Sequence, residues 1–208
     1  MNLMTIIERQ FRRPSGLLGR LVGLFMSRSN KQIVESALQL LKLQPSDQVL
    51  EVGFGPGHGI RRASKTAAFV AGVDFSETML AVASRRNRSA IRDGRVELRK
   101  ADAAKLPYDS NSFDKLFSVN TVYFFSDPSV PVREMCRVLK PGGILVFSFY
   151  SETELGQRGV ASSGPVFHVY PTDLIVSLVA GSGCANVAAR TDEQTGFVHV
   201  LACKSAAS

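Results

Sequence analysis

The residues best suited to chemistry gather in one ten-residue stretch, LEVGFGPGHG, residues 50–59, where Glu51 precedes glycines at positions 53, 55, 57 and 59. Glycine at this density belongs where backbone turns sharply or lies close against something. A phosphate, a dinucleotide or another ligand could each call for it. A phosphate-binding P-loop needs G-x-x-x-x-G-K-[ST], and no Lys-Ser or Lys-Thr follows these glycines. The dinucleotide fingerprint needs G-x-G-x-x-G, but its last position falls on His58 when counted from Gly53 and on Ile60 when counted from Gly55. What remains is an acid followed by Gly53, Gly55 and Gly57 at alternating positions.

These groups are useful only if regular elements position them. QVLEVG (48–53), FVAGVD (69–74), RVELRKA (95–101), FDKLFSVN (113–120) and ILVFSFY (144–150) read as strands, with two more near 186–190 and 197–203. Helices are expected at 30–43, 57–67, 76–87 with Ser76 as N-cap, 129–139 and 171–180, and Pro141-Gly142-Gly143 reads as a turn into the fifth strand. Asn30 or Ser29 would cap the first of these helices. Strands alternating with helices imply right-handed crossovers and a mostly parallel sheet covered on both faces. The last two strands, joined by the short TDEQTG, should pair antiparallel at one edge. The expected fold is therefore α/β, a doubly wound, mostly parallel seven-stranded sheet. Ligands on such sheets bind at the carboxyl ends of the strands near the switch in strand order, so the glycine loop after the first strand is well placed.

Four motifs in this order, over about residues 48–150, resemble the Rossmann-like S-adenosylmethionine-dependent methyltransferases. They are Glu51-x-Gly53-x-Gly55-x-Gly57; Asp74 at the end of the second strand; KADAAKLPYDSNSFDKLFSVN; and REMCRVLKPGGILVFSF. The match is closest to the broad small-molecule branch, which includes quinone-biosynthesis, phospholipid and thiol methyltransferases. The resemblance implies S-adenosylmethionine as cofactor and assigns roles. Gly53 and Gly55 would let backbone lie against its methionine part, with Gly57 completing the motif, and Glu51 would face the ammonium. Asp74 would accept the ribose hydroxyls. Phe75 and Met79 would cover the adenine, whose amino group would meet Asp102 and whose ring would meet the Ala103 backbone N–H. Asn120 would bring backbone near the methyl donor. His58 departs from the family pattern, which more often has a small residue there.

Methyl transfer from a sulfonium is an in-line displacement that needs alignment and exclusion of water, and it needs a base only if the nucleophile must lose a proton. No catalytic triad is visible. Tyr123, in NTVYFF, and His168, in VFHVYP, are the candidates for substrate contact or proton removal. Base methyltransferases of this fold often carry Asn/Asp-Pro-Pro-Tyr/Phe after the fourth strand. NTVY lacks those prolines, which argues against specific nucleic-acid substrates.

The net charge of +7 is concentrated in two places: residues 1–31 hold six basic residues against Glu8, and residues 61–100 hold ten against four acidic ones. Nucleic acid, an anionic membrane or an acidic substrate could each answer to it. Three cysteines without paired ligand spacing point to reduced thiols in a cytoplasm-like compartment, and against a metal site or disulfide framework. No apolar run approaches the ~20 residues of a membrane span, and the start has no signal-peptide arrangement.

The chain divides into residues 1–44, an N-terminal helical lid, and 45–208, the methyltransferase unit with which the lid forms one body. Residues 3–26 carry an amphipathic pattern with Phe11, Leu17, Leu21 and Phe25 available to an apolar or amphiphilic acceptor, and the basic segment 1–31 suits peripheral contact with an anionic bilayer. Two rivals stand beside the soluble small-molecule enzyme. One is a phospholipid N-methyltransferase at the membrane surface; the other is a non-catalytic module that binds the same cofactor. The sequence leaves the oligomeric state open.

Overall fold

The computed structural model describes residues 30–157 and 167–206. Seven strands form one sheet: β1 (Gln48–Val52), β2 (Phe69–Asp74), β3 (Val96–Lys100), β4 (Phe113–Val119), β5 (Leu139–Tyr150), β6 (Cys184–Asp192) and β7 (Phe197–Lys204). Their order is β3-β2-β1-β4-β5-β7-β6. The first five are parallel, while β7 runs antiparallel between β5 and β6. The strand order reverses between β1 and β4, which opens a crevice at their carboxyl ends.

Strand alternation divides the core in two. Val49, Val70, Phe117 and Val146 point to one face, covered by α1 (Lys31–Leu41), α2 (His58–Ala63), α3 (Glu77–Arg86) and α4 (Arg88–Arg92). Leu50, Ala71, Leu116 and Phe147 point to the other, covered by α5 (Ser129–Val138) and α7 (Thr172–Ala180). Neighbouring residues on one strand thus serve opposite layers, as a period of two requires. A short α6 (Glu152–Gln157) follows β5.

The expected strands and the antiparallel edge pair are all present, with four local differences. Helix α2 stops at Ala63, because Ser64, Thr66 and Ala67 turn back onto it through backbone hydrogen bonds. Pro141-Gly142-Gly143 lies inside β5 as an irregularity in its register with β4, and Gly142 has φ +78°. Asn30 stands at the N-cap of α1, but its side chain makes no cap bond and instead accepts from Asn120 Nδ2 at 3.0 Å. Finally, α1 is a core helix, since Ile33, Ala37 and Leu41 are fully buried against the sheet layer. The remainder of the expected lid, with Phe11, Leu17, Leu21 and Phe25, lies outside the described residues. Cys136 and Cys184, far apart in sequence, meet with Sγ atoms 2.9 Å apart, both free and buried. Among the described residues no helix is long and apolar enough to cross a membrane.

Candidate functional site

A cleft of about 900 Å³, its open mouth included, lies at the carboxyl ends of β1, β2 and β4. Much of its wall is apolar: Val34 from α1, Val52 and Phe54 from the β1 end, Val73 from β2, and Phe124 and Phe125 beyond β4. Of the residues singled out in the sequence, Glu51, Gly53, Gly55, Asp74, Phe75, Met79, Ala103 and Asn120 all line it. Among the described residues, Gly57, Asp102, Tyr123 and His168 do not.

The three motif glycines all have positive φ, yet for different reasons. A Cβ at Gly53 would collide with the Thr121 methyl, and one at Gly57 would come within 2.7 Å of Ala83 Cβ and Asn87 Nδ2. These two glycines therefore permit close packing within the protein. A Cβ at Gly55 would meet no atom of the described residues within 4 Å, so at Gly55 the contact left open is with the cleft. Gly59 has a third purpose, because any side chain there would run into the Glu51 carboxylate.

Glu51 points from β1 toward the α2 layer and is only 3% exposed. The Ile60 backbone N–H donates to its carboxylate, but Oε2 is buried with no hydrogen-bond partner among the described residues. Burial pushes its pKa well above the ordinary range, and the neighbouring Asp74 adds to the shift. Asp74 ends β2; its Oδ2 accepts from Gly55 N and its Oδ1 from Ser76 N, each at 2.8 Å. Desolvation raises its pKa to about 6 despite those two bonds. One carboxylate thus fixes the glycine loop and the start of α3 together, while the other leaves a buried, unsatisfied oxygen on a residue that lines the cleft.

The loop after β3 brings in Ala101 and Ala103. Asp102 between them is exposed, and its Oδ1 accepts from Ala104 N at 2.9 Å, a local turn that aims its neighbours at the cleft. Asn120 adopts φ +53°, donates its side-chain amide to Asn30 and accepts from the Tyr123 hydroxyl at 3.2 Å. That hydroxyl also accepts from Tyr150 N at 2.6 Å. Buried Tyr123, stacked on Phe167, therefore braces Asn120 and lies behind the cleft wall. His168 donates its backbone N–H to Tyr123 O at 2.8 Å, and its ring lies beside Tyr170.

His58 does line the cleft. Its Nε2 stands 3.5 Å from Glu35 Oε1, an electrostatic contact too long for a good hydrogen bond, and Glu35 also pairs with Arg62. Burial pushes the His58 pKa down, and Glu35 partly opposes the shift. Sequence reasoning missed Asn30, Thr121, Phe124 and Phe125. The 3₁₀ turn Val122–Phe124 separates consecutive side chains by a third of a turn, so Tyr123 goes inward while Phe124 faces the cleft. Periodicity alone could not choose among the aromatic residues of YFF. Ser118 Oγ donates to Val52 O, so Thr121 must donate in its 2.5 Å bond to Ser118; this fixes the methyl that excludes a side chain at Gly53.

Comparison with known proteins agrees with this geometry. A family model described as a methyltransferase domain matches residues 50–147. The methyltransferase GfsG of Streptomyces halstedii is 35% identical over 124 residues, 59% of this chain and 45% of that protein. The methyltransferase YdaC of Bacillus subtilis is 31% identical over 125 residues, 59% of this chain and 67% of that one. The chain therefore spans less than half of GfsG and two thirds of YdaC. A SAM dependent methyltransferase from Aquifex aeolicus shares the fold, with a TM-score of 0.66 at 24% identity over 82% of this chain and 88% of that one. Sequence likeness across most of YdaC, joined to a glycine loop and cleft at the expected switch point, leads to one conclusion: the chain belongs to the S-adenosylmethionine-dependent methyltransferases of the Rossmann-like class.

Proposed function

We propose that this chain transfers a methyl group to a small, apolar or amphiphilic acceptor held in the cleft beside β1 and β4. The observation that carries the reading is a mostly apolar wall around one buried carboxylate whose Oε2 has no partner among the described residues. Such an oxygen suits a positively charged ammonium, which makes Glu51 the residue to hold the methionine end of the cofactor. When bound, S-adenosylmethionine supplies an already activated methyl group, so the chain's own task is alignment and exclusion of water.

Gly55 gives room beside the backbone, and Asp74 offers its remaining lone pairs to the ribose. Phe75 and Met79 cover the adenine, and the Ala103 N–H reads its edge. Asn120, clamped by Asn30 and Tyr123, presents backbone near the reacting atoms. Phe124, Phe125 and Val34 give the acceptor an apolar surroundings, to which residues 1–26 would add as a lid.

In this reading Tyr123 positions Asn120 and takes no proton from the acceptor. Tyr123→Phe should cost about 1 kcal/mol of stability, the scale of a lost buried hydrogen bond. Turnover should fall by less than about tenfold, whereas removing a general base costs roughly 10²–10⁴. A loss on that larger scale in a folded variant would make the hydroxyl catalytic. The acceptor itself is to be found by screening quinol, phenol, thiol and amine amphiphiles for formation of S-adenosylhomocysteine. Turnover only with strongly polar acceptors would refute the apolar assignment.

A further inference from the structure

The folded domain gathers the second basic segment onto one side. Two shallow grooves flank α2 on the face opposite α5 and α7. One is lined by Lys31, Arg61, Arg62 and Lys65, with Glu35 and His58; the other by Arg61, Lys65, Arg86 and Arg95. Arg88 and Arg92 extend the same layer along α4. The carboxylates among these cations are few: Glu35 is committed to Arg62, and Asp93 lies near Arg92 and Arg95. Lys31, Arg61, Lys65 and Arg88 are exposed and have no carboxylate partner among the described residues.

This layer adjoins the cleft. His58 lines both the cleft and the Lys31 groove, and Asn30, next to Lys31, lines the cleft. Lys31, the last cation of the other basic segment, is thereby placed beside the cleft rim.

We propose that the exposed cationic layer of α1, α2 and α4 docks on an anionic lipid bilayer and brings the cleft mouth to it. The inference rests on the reading of the acceptor as an amphiphile. Three features favour a bilayer. The cations are spread along several helices rather than converging on a single anion. Among the described residues no Phe, Tyr or Trp lines either groove, and the single imidazole, His58, sits against Glu35, so a run of stacking platforms for nucleic-acid bases is missing. The adjoining cleft has a mostly apolar wall, which suits an acceptor that resides in lipid. Basic residues held near an anionic surface act together and are screened by salt.

The test is co-sedimentation of the full chain with vesicles of phosphatidylcholine alone and of phosphatidylcholine mixed with phosphatidylserine, at low and high salt. The chain should bind only the mixed vesicles, and only at low salt. The variant Arg61→Gln/Lys65→Gln/Arg88→Gln should lose on the order of a hundredfold in vesicle affinity. A variant with the same change in charge elsewhere, Lys105→Gln/Arg133→Gln/Arg190→Gln, should keep it. Equal binding by both variants would assign the contact to residues 1–29 or to net charge and overturn the proposal. Absence of binding to mixed vesicles, or tighter binding to an unstructured RNA at the same salt, would overturn it too. Titration of each variant with S-adenosylmethionine is the independent control. Loss of that binding in the wild-type chain would refute the methyltransferase reading and leave the vesicle result standing.

Discussion

Glu51→Gln should bind S-adenosylmethionine roughly ten- to a hundredfold more weakly while melting no lower than the wild-type protein. The affinity loss follows from removing a charged partner, since hydrogen bonds to charged groups are worth about 1.5–3 kcal/mol. The unchanged or raised melting temperature follows from the sign of the pKa shift. Glu51 is buried with Oε2 unpartnered among the described residues, and its folded pKa lies well above the ordinary value. The fold therefore favours the protonated form. Its ionisation costs stability progressively as pH rises from the unfolded pKa through the raised folded one. Glutamine has no proton to lose and escapes that cost. A cation beside the carboxylate reverses the preference, so binding should release a proton, visible as a dependence of the binding heat on the buffer's ionisation enthalpy. Asp74, raised to about 6, adds a second dependence: affinity should decline as pH falls through that value. A Glu51→Gln variant that unfolds readily yet binds normally would remove Glu51 from the proposed site.

The second large effect separates two neighbouring glycines. Gly55→Ala should cost only the about 1–2 kcal/mol of placing a side chain in the left-handed region, because its φ is +49° and no atom of the described residues lies within 4 Å of the added methyl. Its cofactor affinity should nevertheless fall by on the order of tenfold or more, since the methyl projects into the cleft. Gly53→Ala adds a clash with Thr121 to a φ of +76°, and strain plus overpacking should cost about 2–5 kcal/mol. Thermal melts and titrations of the two variants check this directly. Equal destabilisation by both, or a Gly55→Ala protein with full affinity, would contradict the division of roles.

The sheet was legible in the sequence because short apolar strands alternate with helical patterns, and Asp74 and Ser76 became the end of β2 and the N-cap of α3. The site was legible where its residues sit at strand ends: Glu51, Asp74 and Asn120 are placed by the strands themselves. It was not legible where tertiary contact decides. Nothing local says that Gly53 must admit Thr121, that Gly59 must make room for Glu51, or that Asn30 turns from its own helix to Asn120. Those are pairings across eight to ninety residues, set by how β1, β4 and α1 meet. The same holds for the basic layer, which the sequence shows as a charge excess and the helices turn into a face. Tyr123 shows the converse: its position in the chain suggested contact with substrate, and a single 3₁₀ turn places it behind the wall.

The methyl transfer proposed for this chain depends on S-adenosylmethionine binding in the cleft at the ends of β1, β2 and β4. Its most direct test is a calorimetric titration of the full chain with S-adenosylmethionine, with S-adenosylhomocysteine and with a nicotinamide dinucleotide. One-to-one binding of the first two, competing for one site, is expected, with no binding of the third. Tighter binding of the nicotinamide dinucleotide, or no binding of either methionine-derived ligand, would contradict it.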